Sequence, residues 1–484
     1  MSDLKQELAI KNKKEDDISA WYTEVIQKAD LIEYTKVSGC MVFKPNSYQI
    51  WEKIQMFFDE KIKKSGVKNA YFPLLIPESL LNRESEHVEG FTPEVAWVTM
   101  AGNTILPERL AVRPTSETIM YDSYSKWINS YRDLPLRLNQ WCNVIRWEFK
   151  HPTPFMRNRE FLWQEGHTVF ATKKEAEDEV IEILNYYKQV YQDLLAIPVT
   201  QGKKSIGEKF AGADYTTTIE CISPDGRSIQ AATSHHLGQN FAKAFNISFL
   251  NKEQKRELGY QNSWGLSTRS IAGMILVHSD NKGLVLPPRV AVNKIVIIPL
   301  IFKGKEQNVL DKACELKNIL SSFNPIIDDN TKESPGFKFN KWEIQGIPLR
   351  IEIGPKDIEN NSVLVKIRDI DEKKTLLINE SINEKLNEIL DEMHKRLFNN
   401  ALMMMENNTV NVNNFDDFKK MIDSGKRCLV PWYESIESED KIKELTGAKS
   451  SCIPFEYNNE PIKGKKCFFS GKPATCYAYF SKSY

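Results

Sequence analysis

The sequence predicts an α+β fold in three parts: antiparallel strands with flanking helices, then an α/β unit with a small sheet, then a small α+β unit. Three observations carry this. Residues 136–170 read as two runs of alternating apolar and polar residues around a polar loop, the pattern of an antiparallel pair. After Leu286-Pro-Pro288, apolar runs of strand length alternate with helical spacing, which predicts a partly parallel sheet covered by helices. From Met403 the chain turns Asn-rich and polar, then carries Cys and aromatic residues to Tyr484. The predicted domains are 1–288, 289–400 and 401–484, in keeping with a chain of 484 residues.

The elements follow in order. Ile18, Trp21, Tyr22, Val25, Ile26 and Ala29 make the apolar stripe of a first helix. A second runs from about Asn46, with Ile50, Ile54, Phe57, Phe58 and Ile62 on one face, and stops near Ser65-Gly66. Tyr71 to Pro77 reads as a short apolar strand closed by proline. Leu136 to Phe149 and Glu160 to Phe170 are the paired strands, and the loop between them carries Lys150, His151, Arg157 and Arg159. Residues 174–196 return to helical spacing, Ser223-Pro-Asp-Gly226 is a turn, and Tyr260 to Ile271 passes from strand to helix. Beyond Pro288, 294–300, 349–354 and 362–368 are strands, with a helix through Val309, Ala313, Leu316 and Leu320 between the first two.

Composition excludes several classes. Hydrophobic residues make up 41% and charged residues 27%, an ordinary globular balance. Lys+Arg and Asp+Glu are 65 each, so a generic polycation is excluded and any nucleic acid must be held by local patches. The opening residues are charged, with no apolar segment of the export type, and Arg289 and Lys294 break the most apolar stretch, so no spanning helix is expected. The eight Cys form no CxxC and read as reduced thiols of a cytoplasmic protein. There is no GxxxxGK[ST], GxGxxG, HExxH or GxSxG, so a nucleotide would have to be gripped by side chains on strands.

The strongest local signal is Val144-Ile-Arg146-Trp-Glu148, the polar loop, then Arg157-Asn-Arg-Glu-Phe161-Leu-Trp-Gln-Glu165-Gly-His167. Arg146 and Glu148, two apart, would share one face of a strand. An Arg fork holds phosphate and a Phe stacks a base; surface ion pairs across a hairpin would give the same spacing. Thr115 or Ser116 would equally cap a helix from Glu117. His167 would equally be a satisfied core histidine. Adjacent His235 and His236 point to opposite faces of a strand, which argues against one shared metal ion.

Arg-x-Glu, a loop with Arg, and a strand opening on Phe resemble motif 2 of class II aminoacyl-tRNA synthetases. Gly265-Leu-Ser-Thr-Arg269 is similar to motif 3, and the helix leading to Pro77 to motif 1, a dimer-interface element. RPTSET (113–118), RWEFKHPTPF (146–155), EFLWQEGH (160–167), FAGADYTTTIE (210–220), TSHHLGQNF (233–241) and LVLPPRVA (284–291) resemble prolyl-tRNA synthetases of the eukaryotic and archaeal type over nearly the whole chain. The resemblance implies a class II antiparallel-sheet catalytic domain, an anticodon-binding domain and a C-terminal domain of zinc-binding type. It implies an ATP-dependent ligase of protein biosynthesis, joining L-proline to tRNA(Pro) through a prolyl-adenylate, with ATP and Mg²⁺, as a homodimer. Another class II synthetase such as a threonyl enzyme, or a non-catalytic synthetase-like tRNA-binding protein, is the alternative.

The implied catalytic residues are Arg146 and Arg269. The implied proline site is Thr115, Glu117, Arg146, Trp163, Glu165, His167 and His235. The implied ATP site is Arg146, Glu148, Arg157, Asn158, Phe161, Gln230, Thr233, Ser267 and Arg269, with Gln230 toward Mg²⁺. The 99 residues from Glu165 to Trp264 look too few for the editing domain that bacterial-type relatives insert. Cys428 and Cys467 have no near-paired partners, so no zinc is expected.

Overall fold

The computed structural model describes residues 9–85, 94–148, 150–302, 304, 306–457 and 462–484. The first eight residues, where the reading of the chain's charged opening begins, lie outside them.

The first helix is Ile18–Lys28, begun by the Asp17 side chain, which accepts from the Ser19 and Ala20 amides. The second is Pro45–Lys64, with Pro45 at its first turn, where a missing N–H costs nothing. Their buried faces (Trp21, Tyr22, Val25 and Ile26; Ile50, Trp51, Ile54, Phe58 and Ile62) are close to the predicted stripes. They join one core with the helix Lys173–Gln189, where Phe58 stacks on Tyr187 at 4.9 Å and meets Trp264 edge-on at 6.1 Å. A Thr172–Glu175 capping box starts that third helix.

These helices lie against an eleven-stranded sheet. Its centre is antiparallel, in the order Thr200–Lys203, Tyr215–Ile222, Ser228–Gly238, Tyr260–Ser267, Glu160–Phe170, Leu136–Ile145. The predicted pair forms, in register from Leu136↔Val169 to Ile145↔Glu160. Gly166 lets the Trp264 ring lie on the sheet, since a side chain there would run into the indole. The strand expected over Tyr71–Pro77 is shorter, Leu75–Pro77, and belongs to a separate three-stranded sheet.

Two expectations need correction. Arg146 and Glu148 do not share a strand face, because the strand ends at Ile145 and both lie in the turn beyond it. The C-terminal part shares the central sheet. Its strands Thr409–Asn411, Arg427–Trp432, Cys476–Ser481 and Lys449–Pro454 extend the central sheet, joined where Ile453 and Pro454 pair with Lys203 and Gly202. The boundary expected at 400/401 falls inside the helix Ile382–Asn407, which runs from one part into the next.

The middle part is the predicted partly parallel sheet. Ile326–Ile327, Ile295–Pro299 and Leu349–Ile353 run parallel, and Ser362–Ile367 and Lys373–Leu377 complete it antiparallel. It docks on the catalytic part through Arg368, whose fork donates to Asp280 at 2.7 and 2.8 Å. All eight Cys are free thiols. Among the described residues, no helix is long and apolar enough to cross a membrane.

Candidate active site

The central strands enclose a cavity of about 260 Å³. Strand Glu160–Phe170 turns Phe161, Trp163, Glu165 and His167 to it, every second residue and so one face. Ser263, Gly265 and Ser267 come from the neighbouring strand by the same alternation, and Gln230, Thr233 and His235 from the next. Thr115 and Glu117 enter at a helix start, Arg146 and Arg269 at the ends of two strands, and Glu208 and Phe210 from a loop.

One end is a buried acid–histidine cluster. The Ser116 amide donates to Glu165 Oε2 at 3.0 Å, Thr115 Oγ1 at 3.3 Å and Gln140 Nε2 to Oε1 at 3.3 Å; the Ser116 hydroxyl also donates to Oε1. His167 Nε2 lies 3.1 Å from Glu165 Oε2, and its Nδ1 lies 3.0 Å from the Tyr121 hydroxyl. Thr115 donates to Glu117 as well as to Glu165. Burial opposes charge on Glu165, but the contacts with His167 and Ser116 outweigh it and hold its pKa below the ordinary 4.5. Burial likewise opposes charge on His167, but Glu117 and Glu165 raise its pKa above 6.5. His167 is thus buried and satisfied, and it lines the cavity too. Ser116 sits at the N-cap of Glu117–Trp127 without a side-chain bond to the helix, so the capping alternative does not hold: the Ser116 and Thr115 hydroxyls serve the carboxylates.

His235 completes this end. Its Nδ1 lies 2.8 Å from Thr216 Oγ1 and its Nε2 3.0 Å from Thr233 Oγ1. Burial, then the charges of His167 and Lys204, lower its pKa to about 3, so it is neutral near pH 7. His236 faces away and meets Asn262 at 3.0 Å, as alternation requires. Among the described residues, the one cluster of three metal-capable groups is Glu117, Glu165 and His167, and it holds no Cys.

The other end is cationic. Arg146 Nε donates to the Pro114 carbonyl at 2.9 Å, and its guanidinium lies 5.2 Å from the Trp163 ring and 5.5 Å from Phe161. Arg269 donates to the carbonyls of Met156 at 3.2 Å and Gln230 at 3.4 Å. Burial lowers the Arg269 pKa, and the positive charges of Arg157 and Arg146 add to that. Arg146 and Arg269 at this end of the cavity, with the charge of Arg157 near enough to act on Arg269, suit a polyanion.

Known proteins resemble this chain over nearly its whole length. Residues 103–278 match the family described as tRNA synthetase class II core domain (G, H, P, S and T), 294–388 the anticodon binding domain, and 415–484 the prolyl-tRNA synthetase C-terminal family. Proline--tRNA ligase 2 of Clostridioides difficile is 49% identical over 475 residues, 98% of this chain and 97% of that one. The chain belongs to the prolyl-tRNA synthetase family. Its relatives include the cytoplasmic proline--tRNA ligase of Arabidopsis thaliana, 47% identical over 100% of this chain and 92% of that one. The bifunctional glutamate/proline--tRNA ligase of Mus musculus is 47% identical over 99% of this chain, which spans 33% of that protein's length. A crystal structure of prolyl-tRNA synthetase from Cryptosporidium parvum, complexed with halofuginone and AMPPNP, superimposes with a TM-score of 0.94, 46% identity and coverage of 99% and 100% of the two chains.

Within this prolyl-tRNA synthetase fold, twelve expected residues line the cavity: Thr115, Glu117, Arg146, Phe161, Trp163, Glu165, His167, Gln230, Thr233, His235, Ser267 and Arg269. Three do not. Glu148 is exposed in the turn, Arg157 is half-buried, and Asn158 is buried with neither amide atom partnered. Glu208, Phe210 and Thr216 line the cavity and were not expected there. Phe210 lies 4.8 Å from the His235 ring, and its amide donates to Thr216 Oγ1 at 2.9 Å. Phe210 and Thr216 belong to the quoted string FAGADYTTTIE and Glu208 lies just before it, but Glu208 and Phe210 sit in a loop, which carries no periodicity to show which way it points.

Proposed function

We infer that this chain ligates L-proline to tRNA(Pro), with ATP, through a prolyl-adenylate. One observation carries this reading: the cavity is cationic at Arg146 and Arg269 and acidic at Glu117 and Glu165, with the flat Trp163 ring between them. A zwitterionic amino acid fits such a gradient in one orientation. With His167 protonated, the two carboxylates leave one net negative charge, which a secondary ammonium neutralises. Both His167 nitrogens and both Glu165 oxygens already have hydrogen-bond partners, which favours an organic cation over a metal ion at this cluster.

The chemistry is positional. A proline carboxylate oxygen bonds to the α-phosphorus as the bond to pyrophosphate breaks. Arg146, anchored through Nε, turns its remaining N–H groups to the two approaching anions, and Arg269 covers the outer phosphates. Phe161 stacks on adenine, and Arg157, Asn158 and Glu148 close over the nucleotide when it binds. The Gln230 amide oxygen, a neutral hard donor lining the cavity, would help hold Mg²⁺ with the nucleotide, and the ion would supply charge neutralisation. A ribose hydroxyl of the tRNA's terminal adenosine then forms the ester, and AMP leaves.

The anticodon is read by the 289–400 part, and the enzyme works as a cytoplasmic homodimer. Tyr71 and Leu75, exposed beside the motif 1 strand, support that contact. Transfer of labelled proline, but not threonine, to tRNA(Pro) tests the function. A chain that binds tRNA(Pro) but transfers no proline would favour the non-catalytic alternative.

A further inference from the structure

The loop Lys204–Phe210 brings Glu208 and Phe210 to the amino-acid end of the cavity. Much of what holds it comes from the C-terminal domain. The Ser205 hydroxyl is fully buried and lies 2.8 and 3.0 Å from the two oxygens of Glu439, which is itself 4% exposed. The same hydroxyl accepts from the Glu208 amide at 3.3 Å. The Ile206 amide donates to Glu434 at 2.8 Å, Lys449 pairs with Glu208 at 3.1 Å, and Lys204 donates to the Ser451 carbonyl at 2.8 Å. Gly207 completes the fit: a Cβ there would stand 2.7 Å from Glu439 Oε2.

We propose that Glu439, on the helix Ile436–Thr446, is a positioning residue for proline: through Ser205 it fixes the turn that sets Phe210 against Thr216 and His235. The inference rests on the ligase reading above. Glu439 reaches no reacting atom; it acts through the loop. The carboxylate is unfavourable where it stands. Burial, then the nearby Glu208 and Glu434 carboxylates, raise its pKa to about 7 against the opposing hydrogen bonds from Ser205 and the Ser450 backbone. The contacts of Phe210 with His235 and Thr216 lie at the amino-acid end of the cavity, whereas Arg146, Phe161 and Arg269 form the ATP end. A fault in the loop is therefore felt more by proline than by ATP.

ATP–pyrophosphate exchange on the full-length enzyme tests this with Glu439→Ala, Ser205→Ala and Glu439→Gln. Losing the buried hydrogen bonds in either alanine variant raises the proline KM about tenfold and leaves the ATP KM within about twofold. Glu439→Gln keeps an oxygen for Ser205 and stays within about twofold of the unmodified enzyme for both. Equal changes in both KM values, or a lower melting temperature with an unchanged proline KM, would overturn the proposal. If Glu439→Ala does not fold, Ser205→Ala with Glu439→Gln decides. Unmodified enzyme runs alongside. Its failure to activate proline would overturn the ligase reading, whereas normal activation with unshifted variants would overturn this inference alone.

Discussion

Replacing Glu165 with Gln changes one atom type in the cavity wall and disturbs most of its contacts. The carboxylate accepts from the Ser116 amide at 3.0 Å, from Gln140 at 3.3 Å and from the Ser116 hydroxyl, and it faces His167 at 3.1 Å. An amide NH₂ in place of either oxygen meets donors. At least one buried donor then loses its partner, and protonated His167 loses its counter-charge. Removing one member of a buried ion pair costs about 3–5 kcal/mol. For a part of this size that lowers the melting temperature by roughly 10 °C. The sign with pH follows from the two shifts. Glu165 titrates below 4.5 in the fold, so its contribution is present above about pH 4.5 and lost as pH falls through its folded value. His167 titrates above 6.5, so its contribution is full below pH 6.5 and lost as pH rises through its folded value. The gap between Glu165→Gln and the unmodified protein is therefore widest between about pH 4.5 and 6.5. Thermal unfolding from pH 4 to 9, paired with the proline KM, measures it. A variant that melts within about 2 °C of the parent across that range, with an unchanged proline KM, would refute the coupled pair.

Three further outcomes follow from the same geometry. Arg146→Ala loses a charge-assisted contact to the reacting phosphate, so exchange falls by about 10²–10³ or more; near-normal exchange would remove Arg146 from the chemistry. Purified protein carries no stoichiometric zinc, because Trp432, Phe468 and Phe480 fill the C-terminal core beside the buried Cys428 and Cys467; one zinc per chain by elemental analysis, removed only with loss of that domain's fold, would contradict this. Sedimentation at micromolar concentration gives a dimer, and Tyr71→Asp shifts it toward monomer; a monomeric parent would contradict the motif 1 contact.

The hairpin Leu136–Phe170 was legible because alternation over ten or more residues has one simple reading. The structure adds that the same alternation puts Phe161, Trp163, Glu165 and His167 on one face of the return strand. Arg146 and Arg269 were legible only through their motifs, since each sits where a strand has just ended. The continuity of the sheet into the C-terminal part was not legible. It rests on Ile453↔Lys203 and Pro454↔Gly202, a pairing between distant segments whose local patterns do not name their partners. The role of Ser116 was open for a related reason. A serine before a helix looks the same whether its hydroxyl turns to the backbone or to a carboxylate far along the chain.

The central claim is that this cavity activates proline. Pyrophosphate exchange with ATP and each of the twenty amino acids, one at a time, tests it most directly. Proline drives exchange far above the rest, and threonine stays at background. Exchange with threonine at the level of proline, or with no amino acid while ATP still binds, would contradict the assignment of the acidic end at Glu117, Glu165 and His167 to a secondary ammonium.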